Sequence, residues 1–206
     1  DTWRAAVAAE CFRAGATMGN DISGFADPLY LPAAAAAGAT VVATHIRLGP
    51  RIPDPEPDYQ DVVEEVVRYL HERVRQARQA GIPDTRIVLD AGLDLGKAPD
   101  HSARLLAASD RLAELGFPVL LSASNKDFLG RLFDLEVGSR GVASIAAHAV
   151  GVSLGCRILR VHDVAATRRV VDTLGAVLES GSHNVAPIPS RWNSESAPAA
   201  SSRSGS

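Results

Sequence analysis

The stretch IVLDAG, residues 87–92, decides the fold class of this chain. Three consecutive aliphatic residues lead directly to the carboxylate of Asp90, and a glycine two residues later lets the chain turn. A strand that is apolar along its whole length is typical of a parallel sheet covered by helices. An unpartnered carboxylate at the end of such a strand is costly to bury, so we interpret Asp90 as a binding residue.

The same alternation of short apolar runs and longer helical patterns extends outward from this strand. The predicted strands end at Ile22, Ile46, Asp90, Ser122 and Val161. The predicted helices cover residues 3–14, 27–37, 61–80, 101–115, 140–154 and 165–178, and the second of them has Asp27 as its predicted N-cap. Repeated strand and helix units of this kind predict an α/β fold with a parallel sheet.

Composition excludes several classes of protein. The chain has 206 residues, 46% of them hydrophobic and 22% charged, with a net charge of −3, which fits one globular domain and disfavours a nucleic-acid partner. The apolar segments 31–43 and 141–156 are too short and too interrupted for a membrane span. Two cysteines and no recognisable signal sequence favour the cytoplasm, and residues 181–206, rich in Ser, Ala and Pro, predict a disordered tail.

Polar residues collect where the predicted strands end. They are Asp1, Asn20, Asp21, His45, Arg47, Asp90, Lys126, Arg160 and His162. Ligands of parallel α/β proteins bind at this edge, so the positions predict a pocket of mixed charge. Three of these residues are basic and follow the last two strands, as in the phosphate sites of many barrels.

Structural alternatives remain open for several of these positions. Asp127 and Asp163 are equally well explained as caps of the helices that follow them. Asn20 and Asp21 also suit a turn, and His45 is compatible with a solvated loop, as is Arg47.

Six short motifs, in order, resemble the dihydropteroate synthase family. They are Asp1-Thr2, Asn20-Asp21-Ile22, His45-Ile46-Arg47, Asp90-Ala91-Gly92 with Gly96-Lys97, Ser124-Asn125-Lys126, and Arg160-Val161-His162-Asp163. The resemblance implies a TIM (β/α)8 barrel that is incomplete here, with about five βα units from the end of strand 3 through helix 8, forming a pterin-binding domain over residues 1–180. Such barrels need about 250 residues, so we expect the N-terminal third to be missing and this chain alone to be poorly stable.

The resemblance also implies a reaction and its residues. The family condenses 6-hydroxymethyl-7,8-dihydropterin diphosphate with 4-aminobenzoate in folate biosynthesis and releases pyrophosphate, usually with Mg2+ and as a homodimer. Carried over by position, Asp1, Asn20, Asp90 and Lys126 bind the pterin, and Arg160 and His162 bind the pyrophosphate. Lys126, Arg160 and His162 are the expected catalytic groups. A carboxylate such as Asp90 suits the adjacent amino and ring N–H donors of a pterin.

Four positions depart from the family pattern where specificity is set. Asn125 replaces an arginine, Asp127 replaces a serine that faces the aminobenzoate carboxylate, and Asp94 with Leu95 replaces the small and aromatic residues that cover the pterin. We expect carboxylate repulsion at Asp127 to impair aminobenzoate recognition. The alternative is therefore a non-catalytic or altered-specificity paralogue that binds pterin. A pterin-dependent methyltransferase domain is the third possibility.

Overall fold

A five-stranded parallel sheet organises the computed structural model, which describes residues 1–181. The strands are β1 (Met18–Asp21), β2 (Thr40–Thr44), β3 (Ile87–Asp90), β4 (Val119–Leu121) and β5 (Ile158–Leu159). They lie in the order β1-β2-β3-β4-β5, and every neighbouring pair is parallel. All five carboxyl ends therefore meet at one edge, as the sequence pattern predicted.

Within residues 1–181, eight α-helices connect and cover these strands. They are α1 (Ala5–Arg13), α2 (Tyr30–Ala36), α3 (Val62–Gln79), α4 (Pro99–Ala107), α5 (Ser109–Ala113), α6 (Asp127–Phe133), α7 (Gly141–Ser153) and α8 (Val164–Gly181). Short 3₁₀ turns cover Asp84–Arg86 and Val137–Ser139. The sequence predicted one domain over residues 1–180 and a tail over residues 181–206. Of that tail, only Gly181, the last residue of α8, lies within the described residues.

The prediction of a single helix over residues 101–115 was wrong. Helix α4 ends at Ala107, and α5 begins at Ser109. The hydroxyl of Ser109 donates to the carbonyl oxygen of Leu106 at 2.8 Å, which offers that carbonyl a side-chain partner in place of a helical N–H. Helix α6 was absent from the predicted elements altogether, although Asp127 had been considered as the cap of a following helix.

Asp27 does not cap the helix that follows it, because α2 begins only at Tyr30. Its carboxylate accepts from the backbone N–H of Ala5 at 2.8 Å and from that of Leu29 at 3.0 Å. The first of these bonds satisfies an N–H at the start of α1 and is the main reason why the pKa of Asp27 is lowered. A loop residue thus supplies the cap that Arg4 cannot give.

Helix α3 shows how the local sequence fixes an element and its buried face. Asp61 precedes it, and its carboxylate accepts from the N–H groups of Val63 and Glu64 at 3.0 and 3.2 Å. The buried residues then recur at helical spacing and are Val62, Val66, Leu70, Val74 and Ala77. This stripe packs against β2 and β3, so the helix covers the middle of the sheet.

Alternating strand residues face opposite sides of the sheet. One face supplies the main core together with the helices, through residues such as Val41 and Leu89. The other face carries a separate small cluster of Val42, Val88 and Leu120, against which Ile158 packs. Two apolar faces on β2, β3 and β4 fit a barrel wall, because one face of such a wall meets the helices and the other meets the barrel interior.

No helix among residues 1–181 is long and apolar enough to cross a membrane.

Candidate functional site

A cavity of about 280 Å3 opens at the edge where the strands end. Its lining consists of Asp1, Thr2, Trp3, Asn20, Ile22, Thr44, Asp90, Gly92, Leu93, Leu95, Ser122, Lys126 and Arg160. The structure therefore brings together all four residues predicted to bind pterin, with Arg160 beside them. We call this space the first cavity. Its mixture of aliphatic walls and a few charged groups is typical of a site for a small heteroaromatic ligand.

Asp1 connects the two outermost strands of the sheet across the first cavity. Its Oδ1 accepts from Nδ2 of Asn20 at 2.6 Å, and its Oδ2 accepts from Nη2 of Arg160 at 2.7 Å. Asn20 lies on β1, and Arg160 follows β5. The backbone N–H of Thr2 also donates to the carbonyl of Asn20 at 3.1 Å, so the segment is held by both backbone and side chain.

Asp90 forms the buried end of β3 and is only 6% exposed. Its Oδ1 accepts from the N–H of Gly92 at 2.7 Å. Burial raises the pKa of Asp90, while that hydrogen bond and the positive charges of Lys126, Lys97 and Arg160 oppose the rise. The carboxylate is therefore poorly solvated within the chain, which is the condition under which a ligand N–H pair gains most from binding it.

A second cavity, of about 400 Å3, adjoins the first. It is lined by Ser122, Ser124, Lys126, Arg160, Val161 and His162. Every ionisable side chain in this lining is basic, and Ser122, Lys126 and Arg160 line both cavities. Nδ1 of His162 lies 2.8 Å from Oγ of Ser124, and the same Oγ accepts from the backbone N–H of His162 at 3.2 Å. The arrangement suits an anionic group such as a diphosphate.

Lys97 and His45 form a buried pair that the sequence reasoning missed. Nζ of Lys97 lies 2.9 Å from Nδ1 of His45 and donates to the carbonyls of Gly92 at 2.9 Å and Leu95 at 3.2 Å. Burial lowers the pKa of Lys97 to about 7 and that of His45 to about 2. The available sequence signal for this pair was the lysine that follows the glycine-containing loop after β3. It does not reveal the pair, because His45 lies in a separate segment of the chain.

Three of the four specificity departures lie outside the linings of both cavities. Asp94 is absent from the first cavity's lining, and only Leu95 of that pair borders the predicted pterin site. The carboxylate of Asp94 instead accepts from the N–H of Asp127 at 2.6 Å, at the start of α6. Neither Asn125 nor the carboxylate of Asp127 lines either cavity, and the latter lies 3.4 Å from Nη2 of Arg140.

The remaining polar residues at the strand ends are structural. Asp21 is fully buried, and its carboxylate accepts from the N–H and hydroxyl of Ser23 and from the N–H of Phe25, which builds a turn. Arg47 is exposed and pairs with Asp54 at 2.9 Å. Asp163 caps α8 by accepting from the N–H of Ala166 at 2.9 Å.

Metal-binding groups are sparse near these cavities. Within residues 1–181, no three His, Cys, Asp or Glu side chains converge as a metal site would require. Asp1 is a candidate metal ligand because it borders the first cavity beside Arg160, but both of its carboxylate oxygens already accept hydrogen bonds. These side chains do not by themselves form a Mg2+ site.

Comparison with known proteins gives one consistent result. The family whose sequence pattern matches residues 1–162 is described as "Pterin binding enzyme". The protein described as "Inactive dihydropteroate synthase 2" of Mycobacterium leprae is 36% identical over 184 residues, which cover 86% of this chain and 62% of that protein. The chain spans less than two thirds of the length of this relative.

Solved structures agree with the sequence comparison. Dihydropteroate synthase from Stenotrophomonas maltophilia, solved with imidazole in its active site, superposes with a TM-score of 0.84 at 41% identity, over 86% of this chain and 68% of that one. The enzyme from Xanthomonas albilineans in complex with 7,8-dihydropteroate gives 0.80 at 39% identity, over 86% and 65%. The predicted incomplete TIM barrel is thereby confirmed.

Proposed function

Because this chain belongs to the pterin-binding enzymes, in the dihydropteroate synthase family, we propose that its two cavities serve one transfer reaction. In that reaction an arylamine displaces pyrophosphate from 6-hydroxymethyl-7,8-dihydropterin diphosphate. The amine nitrogen forms a bond to the methylene carbon, the carbon–oxygen bond to the diphosphate breaks, and the electron pair leaves with pyrophosphate. The amine then loses a proton. 4-Aminobenzoate, bound in another structure of the X. albilineans enzyme, is the first acceptor to test.

The observation that carries this proposal is the wall shared by the two cavities. Lys126 and Arg160 line both, so a ligand with a pterin in the first cavity and a diphosphate in the second passes directly between these two cations. The bond that breaks then lies where positive charge is already held. Stabilising negative charge as it develops on a leaving group is a large source of catalysis.

The roles of the individual residues follow from their chemistry. Asp90 accepts the paired N–H donors of the pterin, Asn20 and Asp1 contact its remaining edge, and Lys126 faces the ring carbonyl. Arg160 and His162 hold the pyrophosphate, and the Ser124 contact orients the His162 ring. No side chain is needed as a nucleophile, since the acceptor supplies one, so orientation and charge stabilisation are the protein's contribution.

A second candidate function is binding of the pterin diphosphate without transfer. The similarity to the M. leprae protein described as inactive favours it. The carboxylate of Asp127, which replaces the serine of the family pattern at the start of α6, favours it as well. In this case the cavities keep their ligand but the acceptor is not used.

Three further proposals concern conditions rather than the reaction. Mg2+ would enter mainly on the diphosphate oxygens, which is how this ion commonly binds in nucleotide sites.

A homodimer is supported by an apolar groove of about 600 Å3 between α4, α6 and α7, where Phe133 and Val142 are 61% and 81% exposed. We also propose a cytoplasmic location, where thiols such as the free Cys11 and Cys156 stay reduced.

Two measurements on the intact protein test the function. Pyrophosphate release from the pterin diphosphate is followed with and without 4-aminobenzoate, and binding of the pterin diphosphate is measured by calorimetry. We expect pyrophosphate release to depend on the amine. We expect Arg160→Ala to lower both the rate of release and the affinity for the pterin diphosphate about tenfold or more. Arg157→Ala is the matched control, because Arg157 is exposed and lines neither cavity.

The outcomes separate the two candidates. Tight pterin binding without release under any amine supports the binding protein and rejects the synthase. Absence of pterin binding rejects both. Equal effects of Arg160→Ala and Arg157→Ala would show that the shared wall has no special role.

A further inference from the structure

We infer that Asp94 is a positioning residue that sets the direction of Lys126 into the first cavity. The inference rests on the proposed pterin site and concerns the loop of residues 91–97, which follows β3. Asp94 lies in the middle of this loop, and Lys126 immediately precedes α6. The two residues are 32 positions apart in sequence, so their relation is visible only in the fold.

Asp94 adopts a backbone conformation that aspartate rarely uses. Its φ is +67°, in the left-handed region where glycine carries no steric penalty. A left-handed aspartate carries a backbone free-energy cost, which other interactions of the residue have to offset. The hydrogen bonds of the Asp94 side chain supply this compensation.

The carboxylate of Asp94 fastens the loop to two helices. It accepts from the N–H of Asp127 at 2.6 Å and from the N–H of Phe128 at 3.3 Å, the first two residues of α6. The hydroxyl of Ser102 on α4, which is fully buried, donates to it at 3.2 Å and in turn accepts from the N–H of Asp94 at 3.1 Å. Four contacts from two elements fix both the carboxylate and the loop backbone that carries it.

Lys126 is held by the same piece of loop from its other side. Its Nζ donates to the carbonyl of Leu93 at 3.1 Å, the residue directly before Asp94. The side chain of Lys126 is therefore bonded to Leu93, and the backbone N–H that follows Lys126 is bonded to Asp94. Leu93 and Lys126 border the first cavity, while Asp94 does not. Asp94 thus acts on the first cavity through Lys126, and its own side chain borders a neighbouring cavity of about 230 Å3 that shares Ile22 and Leu95 with the first.

This geometry predicts which binding step depends on Asp94. Lys126 contributes to the pterin cavity through a side chain whose anchor is the loop, so loosening the loop lets its ammonium move away from Asp90 and the pterin. Arg160 and His162 follow β5, and their hydrogen-bond partners, Asp1 and Ser124, lie outside the loop. Lys126 is one of three basic groups in the second cavity, so binding of pyrophosphate alone should weaken less than binding of pterin.

The test compares Asp94→Gly with Asp134→Gly in the intact protein. Glycine accepts the left-handed backbone at both positions, so neither change strains the chain. Asp134 lies at the other end of α6 with φ +51° and an exposed side chain, which makes it the matched control. Affinities for 6-hydroxymethylpterin and for inorganic pyrophosphate are measured by calorimetry, and the thermal midpoint is recorded for each variant.

We expect Asp94→Gly to weaken pterin binding about tenfold, with a smaller fall in pyrophosphate affinity and a thermal midpoint lowered by about 2–4 °C, because the capping contacts to α6 are lost. Asp94→Asn, which keeps one acceptor oxygen, should recover part of the loss, and Asp134→Gly should match the wild type. Unchanged pterin affinity in Asp94→Gly overturns the inference. An equal fall in pyrophosphate affinity also overturns it, because the role would then be general rather than directed at Lys126. Failure of turnover affects only the proposed reaction, since these readouts measure binding.

Discussion

Lys97 should make the stability of this protein depend on pH in a direction opposite to that of most lysines. Lys97 is 8% exposed, and its Nζ lies among the carbonyls of Gly92 and Leu95 and Nδ1 of His45. Burial lowers its pKa from 10.5 to about 7, with attraction from Asp90 and Asp94 and repulsion from Lys126 as smaller effects. The folded protein therefore binds the Lys97 proton less tightly than the unfolded chain does.

The sign and size of the effect follow from proton linkage. Between pH 7 and pH 10.5 the unfolded chain holds more protons at Lys97 than the folded protein, so the free energy of unfolding rises with pH in this range. The penalty is complete below pH 7 and disappears above the unfolded pKa. Between pH 7 and pH 9 the relief amounts to about 2 kcal/mol. His45 contributes little in this range, because burial lowers its pKa to about 2 in the folded protein and its ordinary pKa of 6.5 already lies below pH 7.

Urea unfolding followed by circular dichroism at pH 7 and pH 9 measures this difference. Lys97→Met removes the titrating group, so we expect the variant to lose the gain of about 2 kcal/mol that the wild type shows. Lys126→Met, which alters the only other lysine of the chain, should keep the gain. Parallel pH dependence in the wild type and Lys97→Met would refute the assignment of a depressed pKa to Lys97. The absolute stability of Lys97→Met does not enter the comparison.

Three further predictions concern single positions. Gly92 has φ +64°, and a Cβ there would overlap a backbone carbonyl oxygen, so Gly92→Ala should lower the free energy of unfolding by about 3 kcal/mol or more. Gly81 has φ +87° but open space around it, so Gly81→Ala should cost only about 1 kcal/mol. Urea titration of both variants measures the difference. Asp61→Ala removes the α3 cap and should cost about 1 kcal/mol in the same assay. Ser124→Ala frees the His162 ring and should weaken pyrophosphate binding about tenfold by calorimetry without changing pterin affinity, and equal affinities for pyrophosphate would contradict the orienting role.

The sequence predicted the elements whose signals are local. The stripe from Val62 to Ala77 and the capping carboxylate of Asp61 lie within one helix, and the apolar run before Asp90 lies within one strand. The convergence of Asp1, Asn20, Asp90, Lys126 and Arg160 was also predictable, because parallel strands bring their carboxyl ends to one edge. The motif order added the family.

The remainder depends on approaches between distant segments. Asp94 was interpreted as a charge facing the ligand because, with Leu95, it replaces residues that cover the pterin in the family pattern, yet its left-handed backbone turns the carboxylate towards α6. Lys97 reaches His45 from 52 positions away, and nothing in either local sequence announces the other. Asp27 caps α1 and not its own helix for the same reason. Such pairings are set by tertiary packing, which overrides local preference.

The wall common to the two cavities also constrains the thermodynamics of the site. Lys126 and Arg160 border both spaces, so a ligand in one changes the charge that a ligand in the other meets. Linkage requires the coupling to be reciprocal: the factor by which pyrophosphate changes the affinity for pterin equals the factor by which pterin changes the affinity for pyrophosphate. A substitution at either of these two side chains is therefore expected to alter binding in both cavities.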